Sequence, residues 1–333
     1  MLRRSLRRIK ACFCQSPLAH WFWSRLDTVS VVEAARADRR SLGQACFVAG
    51  AMFLCNAGSF AAHAEDDDGF YEIETKYIFG FTIGSGIGLE GEKEISAKTE
   101  GQFGKRDGTY GALEHTLEFE FTPSQYVQIE LEALAQSHFI RDVSGLDDRD
   151  QGKFSGFATE FRYLLLGRGP GSPVSITLSV EPEYSRVDDI SGERVRGMSF
   201  ETRFALDVEL VPNRLFAGFN LLYVPEVLRT ADFTWERATN LGVSAALAFR
   251  PVPTVVVGAE VEYFRHYNTL DLSAFEGDAL YVGPTLYVQL SRKSFIQAAW
   301  SAQVAGHAVG EPGGLNLDEF TRYKVKLKYA YEF

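Results

Sequence analysis

The last twelve residues of the chain alternate without a break. Tyr323, Val325, Leu327, Tyr329, Tyr331 and Phe333 share one parity; Arg322, Lys324, Lys326, Lys328, Ala330 and Glu332 share the other. Side chains of period two alternate across a β-strand, so one face is aromatic and aliphatic and the other is basic. A strand buried on one side in a soluble sandwich has the same period. An aromatic face backed by lysines instead fits a barrel wall with lipid outside and water inside.

The rest of the chain reads the same way. Alternating segments are expected near residues 71–84, 110–121, 126–140, 154–166, 174–187, 195–210, 215–229, 234–249, 254–267, 279–290, 295–307 and 319–333, twelve in all. The connections fall into two alternating sets. One is short and rich in Pro, Gly, Asn and Ser, as at Pro123, Pro212, Pro251–Pro253 and Arg292–Ser294. The other is mostly longer and more acidic: 85–109, 141–153, 188–194, 230–233, 268–278 and 308–318. Short turns at one end, longer loops at the other and an even strand number describe a transmembrane barrel. Residues 94–100 also alternate, but a further spanning strand there breaks the parity, so 85–109 is read as a loop. The fold class expected is all-β: a single antiparallel up-and-down transmembrane β-barrel of about 12 strands. Its outward row runs from Ile73, Tyr77, Phe79 and Phe81 to Leu247, Val261 and Trp300. Pro182, Pro225 and Pro284 fall inside strands, where bulges are expected because proline has no N–H to donate.

All four cysteines (Cys12, Cys14, Cys46 and Cys55) precede residue 64. Arg39 and Arg40, the apolar stretch 45–60 and the small-x-small triplet Ala62-His63-Ala64 have the layout of a secretory signal peptide, 39–64, cleaved before Glu65. Residues 1–38 form a basic extension without an evident role, either an overcalled start or a long n-region. Residues 1–64 hold 9 of the 34 basic and 3 of the 44 acidic residues. The 65–333 barrel region keeps 25 and 41, a net charge of −16. It has no cysteine, so no disulfide belongs to the fold, and its acidity argues against nucleic acid as a partner. The stretch ahead of Tyr71 is too short to build a periplasmic domain or plug.

The terminal segment resembles the closing strand of Gram-negative outer-membrane β-barrel proteins, which ends in an aromatic residue. Over about 69–333 the chain resembles their uncharacterised porin-like or transporter-like group. The resemblance implies that Tyr329, Tyr331 and Phe333 act as a C-terminal assembly signal. The implied partners are the barrel-assembly machinery, periplasmic chaperones, outer-membrane lipid and lipopolysaccharide. The implied location is the outer membrane.

Inward positions are densely charged. The expected acidic wall is Glu72, Glu74, Glu118, Glu120, Glu130, Glu132, Glu160, Glu181, Glu183, Glu201, Glu260 and Glu262. The expected basic stripe is Arg322, Lys324, Lys326 and Lys328, with Lys76, Arg162 and Arg203. If the first strand holds Glu72 and Glu74, the lysine ladder lies beside them, and a basic stripe facing an acidic wall sets a transverse field in the lumen. The function this favours is an outer-membrane channel passing small hydrophilic solutes, with a preference for cations and no cofactor. One alternative is a plugged structural barrel whose inward side chains fill the lumen. Another is a lipid hydrolase of the phospholipase or lipid A deacylase type, for which His138 and His266 near the rim are the histidines to inspect. Ser137 adjoins His138 but points to the opposite face, and His115 reads as facing outward. No metal site is expected: Asp147-Asp148-Arg149-Asp150 lacks the closing carboxylate of a calcium loop.

Overall fold

A computed structural model describes residues 73–169 and 172–333. The signal peptide, the basic extension and Glu72 lie outside the described residues. Twelve antiparallel strands form a closed sheet: β1 (Lys93–Phe103), β2 (Thr109–Ser124), β3 (Val127–Arg141), β4 (Arg149–Leu166), β5 (Val174–Val187), β6 (Arg194–Val211), β7 (Leu215–Arg229), β8 (Trp235–Val252), β9 (Val255–Tyr267), β10 (Phe275–Ser291), β11 (Ser294–Ala308) and β12 (Tyr323–Glu332). Each strand pairs with its sequence neighbours, and β1 closes on β12. The short connections gather at the end where β1 begins and β12 finishes, here the turn end. The longer ones, up to 309–322, lie at the loop end.

Period two explains the two faces. Leu117, Phe161, Leu221, Leu247, Trp300, Tyr329, Tyr331 and Phe333 are exposed on the outer surface, while Glu118, Arg162, Asn220 and Lys328 are buried inside. A closed sheet leaves no open edge, and an apolar exterior of this kind is what a barrel in lipid requires.

The first strand differs from the expectation. Residues 73–84 are not a strand and do not face lipid; they lie inside the barrel. Ile73, Tyr77 and Phe79, expected to point outward, are buried, Phe79 completely, and Phe81 faces the interior cavity. The segment 94–100, expected as a loop, belongs to β1. The strand number stays at twelve because one segment enters the wall as the other leaves it.

The buried segment has a reason to be there. Phe216, Ala246, Ala248, Val256, Tyr287, Phe295 and Ala330 form an apolar inward patch on β7–β12, and Ile73, Tyr77, Ile78 and Phe79 pack against it. Tyr77 and Tyr287 each lie 5.1 Å from the Phe295 ring, centroid to centroid. A Cβ at Gly218 would come within 2.8 Å of the Phe79 ring, so the missing side chain makes the seat. Phe79→Ala is expected to weaken this docking by about 3–5 kcal/mol, the cost of emptying a buried aromatic site. Hydrogen exchange should then rise across 73–86 while the strand ladder stays protected.

The three strand prolines do not carry bulges. Register is the same on either side of Pro182, Pro225 and Pro284. The ladder drops pairs beside them on one side and resumes, so the missing donor is absorbed locally. A register shift does occur at Leu134/Ala135 opposite Ser155, and another near Val187.

Candidate functional site: the lumen and its plug

The plug segment belongs to no strand of the sheet, yet its backbone groups are buried and need partners. Inward side chains of the wall supply them. Glu260 on β9 accepts from the Phe81 and Thr82 amides at 3.0 and 2.8 Å. Asn220 on β7 accepts from the Ile83 amide at 2.8 Å and donates to its carbonyl at 2.7 Å. Asp207 on β6 accepts from the Ser85 amide at 2.8 Å and from the Thr75 and Ser85 hydroxyls. Gln297 on β11 donates to the Tyr77 and Phe79 carbonyls at 2.9 and 3.0 Å, and Arg162 on β4 to that of Gly84 at 2.8 Å. Thr82 donates to Ser244 on β8 at 3.0 Å. The Lys76 ammonium lies 2.5 Å from Glu120 and 2.9 Å from Glu130. Thus Lys76 is not on a wall strand, as expected from sequence, but on the plug. Glu120, Glu130 and Glu260 sit on the wall as expected, and they anchor the plug.

Above the plug lies a cavity of about 420 Å³. Lys76, Tyr77, Phe81 and Ile83 line its floor. Its wall includes Glu118, Glu132, Glu160, Glu181, Glu201 and Glu262 with Arg162, Arg203, Lys98 and the lysines of β12. Loop residues fold in at the loop end. Asp188–Ile190 line the cavity, held where Tyr110 donates to the Ile190 carbonyl at 2.9 Å and His138 Nε2 meets the Asp189 carbonyl at 3.0 Å. Glu319 and Phe320 approach from the β11–β12 loop.

The basic stripe is present but mostly neutralised. The partner of β12 is β1 rather than 72–74, so Lys328 stands opposite Lys98, Lys326 opposite Glu100 and Lys324 opposite Gln102. Lys324 pairs with Glu262 at 2.8 Å, Lys326 with Glu100 at 3.1 Å, Lys328 with Glu118, and Lys98 with Glu118 at 2.9 Å. Arg162 and Arg203 each turn to the carboxylate two residues earlier on their own strand, Glu160 and Glu201. Arg322 is not part of the stripe: it lies before β12, exposed, against the Tyr323 ring. By contrast Glu114, Glu181, Glu183 and Glu226 have no ion pair among the described residues. The uniform transverse field expected from sequence is therefore replaced by a paired basic side and a free acidic side. Glu74 lies below the cavity instead of lining it. It meets Glu92 and Glu332 at the turn end, with carboxylate oxygens within 4.8 Å of one another.

His115, His138 and His266 each have a polar partner. His138 is fully buried. His266 Nδ1 lies 2.9 Å from Asn240 Oδ1. His115 faces outward, as read from sequence, and its Nδ1 lies 3.0 Å from Thr99 Oγ1 across the β1–β2 pair. That contact gives one ring nitrogen of an imidazole on a lipid-type face a hydrogen-bond partner.

What sequence reasoning missed was the plug. Its signal was the apolar inward row from Phe216 to Ala330, which a water-filled lumen does not need.

Among solved structures, the crystal structure of the COG4313 outer membrane channel from Pseudomonas putida F1 is similar, with a TM-score of 0.52 and 10% identity, covering 81% of this chain and all 100% of that one. The KdgM porin in complex with disordered oligogalacturonate aligns at TM-score 0.43 and 10% identity, over 72% of this chain and 99% of that one. The NanC porin aligns at 0.42 and 7%, over 72% and 98%. At these identities the likeness is one of fold, and the resemblance to outer-membrane barrels drawn from the last strand holds at that level. No curated protein matches by sequence. The model of a family of unknown function, DUF6662, matches residues 71–333.

Proposed function

We propose that this chain, which belongs to the DUF6662 family of unknown function, is a bacterial outer-membrane channel for small hydrophilic solutes. It prefers cations, and the 73–86 plug sets its opening. The observation that carries this reading is the charge-lined cavity whose floor is the plug and whose uncompensated charge is acidic. Walls of one sign select counter-ions. A plug held by side chains, outside the sheet ladder, is the part of the barrel that can move without breaking the wall.

In this reading the turn end faces the periplasm. The 39–64 signal peptide is removed on export, and Tyr329, Tyr331 and Phe333 present the barrel to the assembly machinery after delivery by periplasmic chaperones.

Recording of the refolded protein in a planar bilayer with a salt gradient tests the proposal. A reversal potential of cation-selective sign is expected, with brief openings from a mainly closed baseline. Anion selectivity, or a steady wide pore, would contradict it.

A further inference from the structure

Outside the barrel, near the loop end of β4–β6, the structure has a second cavity, about 300 Å³, lined by Phe154, Phe157, Tyr184, Arg186, Arg194 and Arg196 together with Val195. It opens on the lipid-facing side. Phe157 pairs with Tyr184, and Tyr184 with Met198, in an outward row. The register shift opposite Ser155 turns Phe154 onto the same face as Phe157, and their rings meet edge to face at 4.9 Å. At the second shift, near Val187, β6 carries the extra residue, so that Val195 and Arg196 stand opposite Arg186 and Arg194 follows, all lining the recess. Two bulges thus build one recess with an aromatic lower half and a triple-arginine upper half.

No carboxylate pairs with Arg186, Arg194 or Arg196 among the described residues; Glu193, next to Arg194 in the chain, turns to Arg149 at 3.4 Å. The positive charge continues sideways. Arg196 stands directly opposite Arg229 across β6–β7. The Arg229 guanidinium lies over the Phe233 and Trp235 rings, and its Nε is buried without a partner. Like charges directly opposite on a sheet repel one another. Four gathered at one rim therefore call for an anion between them. Guanidinium groups match phosphate oxygens with paired N–H donors. The aromatics below lie where interfacial girdles meet acyl chains.

We infer that this recess binds a phosphorylated lipid of the outer leaflet, its phosphate among Arg186, Arg194 and Arg196 and its acyl chain along Phe154, Phe157 and Tyr184. The continuity of the recess with the lipid-facing wall favours a lipid over a free anion. The inference rests on the outer-membrane placement proposed above but not on conduction.

The test is native mass spectrometry of the full mature barrel in detergent with bisphosphorylated lipid A. Wild type is expected to retain the lipid. Arg186→Gln/Arg194→Gln/Arg196→Gln should lose retention by about tenfold or more, and dephosphorylated lipid A should be held about tenfold less well by wild type, since charge-assisted bonds are removed in both arms. Millimolar inorganic phosphate should not displace the lipid. Equal retention by the triple variant, equal retention of the dephosphorylated lipid, or displacement by inorganic phosphate would overturn the inference. The single variants Arg196→Gln and Phe157→Ala, both at exposed positions, give the same reading if the triple variant does not fold. Because the readout is lipid retention rather than current, a barrel that never conducts still decides the matter, and loss of this site leaves the channel proposal intact.

Discussion

Asp207→Asn combined with Glu260→Gln is expected to open the channel. The two carboxylates accept amide hydrogens from Phe81, Thr82 and Ser85 and hydroxyl hydrogens from Thr75 and Ser85. Hydrogen bonds to a charged acceptor are worth more than bonds to a neutral one, so neutralising both weakens the plug by about 1–3 kcal/mol in total. That energy is about a 5- to 150-fold rise in the undocked population. The strand ladder should persist, because neither side chain belongs to it, although Asp207→Asn also removes the partner of Arg168, 2.7 Å away in the β4–β5 turn. Single-channel recording should show open time rising by that factor, with heat-modifiable migration on gels unchanged. Unchanged open time would mean that the plug is held by its apolar side alone, through Phe79 and its seat. A combined variant with Phe79→Ala would then have to be the one that opens.

The second large effect concerns charge. Glu181→Gln, Glu183→Gln and Glu226→Gln together should bring the cation-to-anion permeability ratio close to unity. Among the described residues these groups carry no ion pair, whereas the lysines of β12 are already answered by Glu100, Glu118 and Glu262. The converse substitutions, Lys324→Gln, Lys326→Gln and Lys328→Gln, should strengthen cation preference by freeing Glu262 and Glu100 and leaving Glu118 to Lys98 alone. They should also cost stability. Removing one partner of a buried pair costs about 3–5 kcal/mol, and Lys328 with Glu118 is the most buried of the three pairs. Reversal potentials and urea-unfolding midpoints of the two triple variants separate the effects. Anion selectivity in the lysine variants would contradict the assignment.

Eleven of the strands were legible because a lipid-facing wall must repeat with period two, and short turns alternating with long loops fix the topology. The first was not, and for a physical reason. The plug carries Ile73, Tyr77, Phe79, Phe81 and Ile83 at odd positions, the same alternation as a wall strand. Here one side of a buried segment meets the apolar patch around Phe216 and Phe295, and backbone groups on the other meet Asp207, Asn220 and Glu260. β1 reads weakly by comparison, because its outward row of Ile95, Ala97, Thr99, Gly101 and Phe103 is small or polar over half its length. Parity then favoured the wrong one of two mutually exclusive segments. The lumen residues were largely legible, since inward parity follows from the strand register. Their pairing was not: Lys324 on β12 reaches Glu262 on β9 past the two strands between them, a distance no sequence pattern encodes. The outer recess depended on the bulge at Ser155, which turns Phe154 onto the face of Phe157, and on an extra β6 residue opposite Arg186.

The most direct measurement is a reversible lock on the plug. Thr82 and Ser244 lie with their hydroxyl oxygens 3.0 Å apart, one on the plug and one on β8, and residues 65–333 contain no cysteine of their own. Thr82→Cys/Ser244→Cys can therefore be oxidised to join the two at a single point. In a planar bilayer, openings are expected to vanish on oxidation and return on reduction, while either single-cysteine variant stays indifferent to both. Conductance that persists unchanged through the oxidised state, with the cross-link verified by mass spectrometry, would contradict the claim that the plug governs the pore.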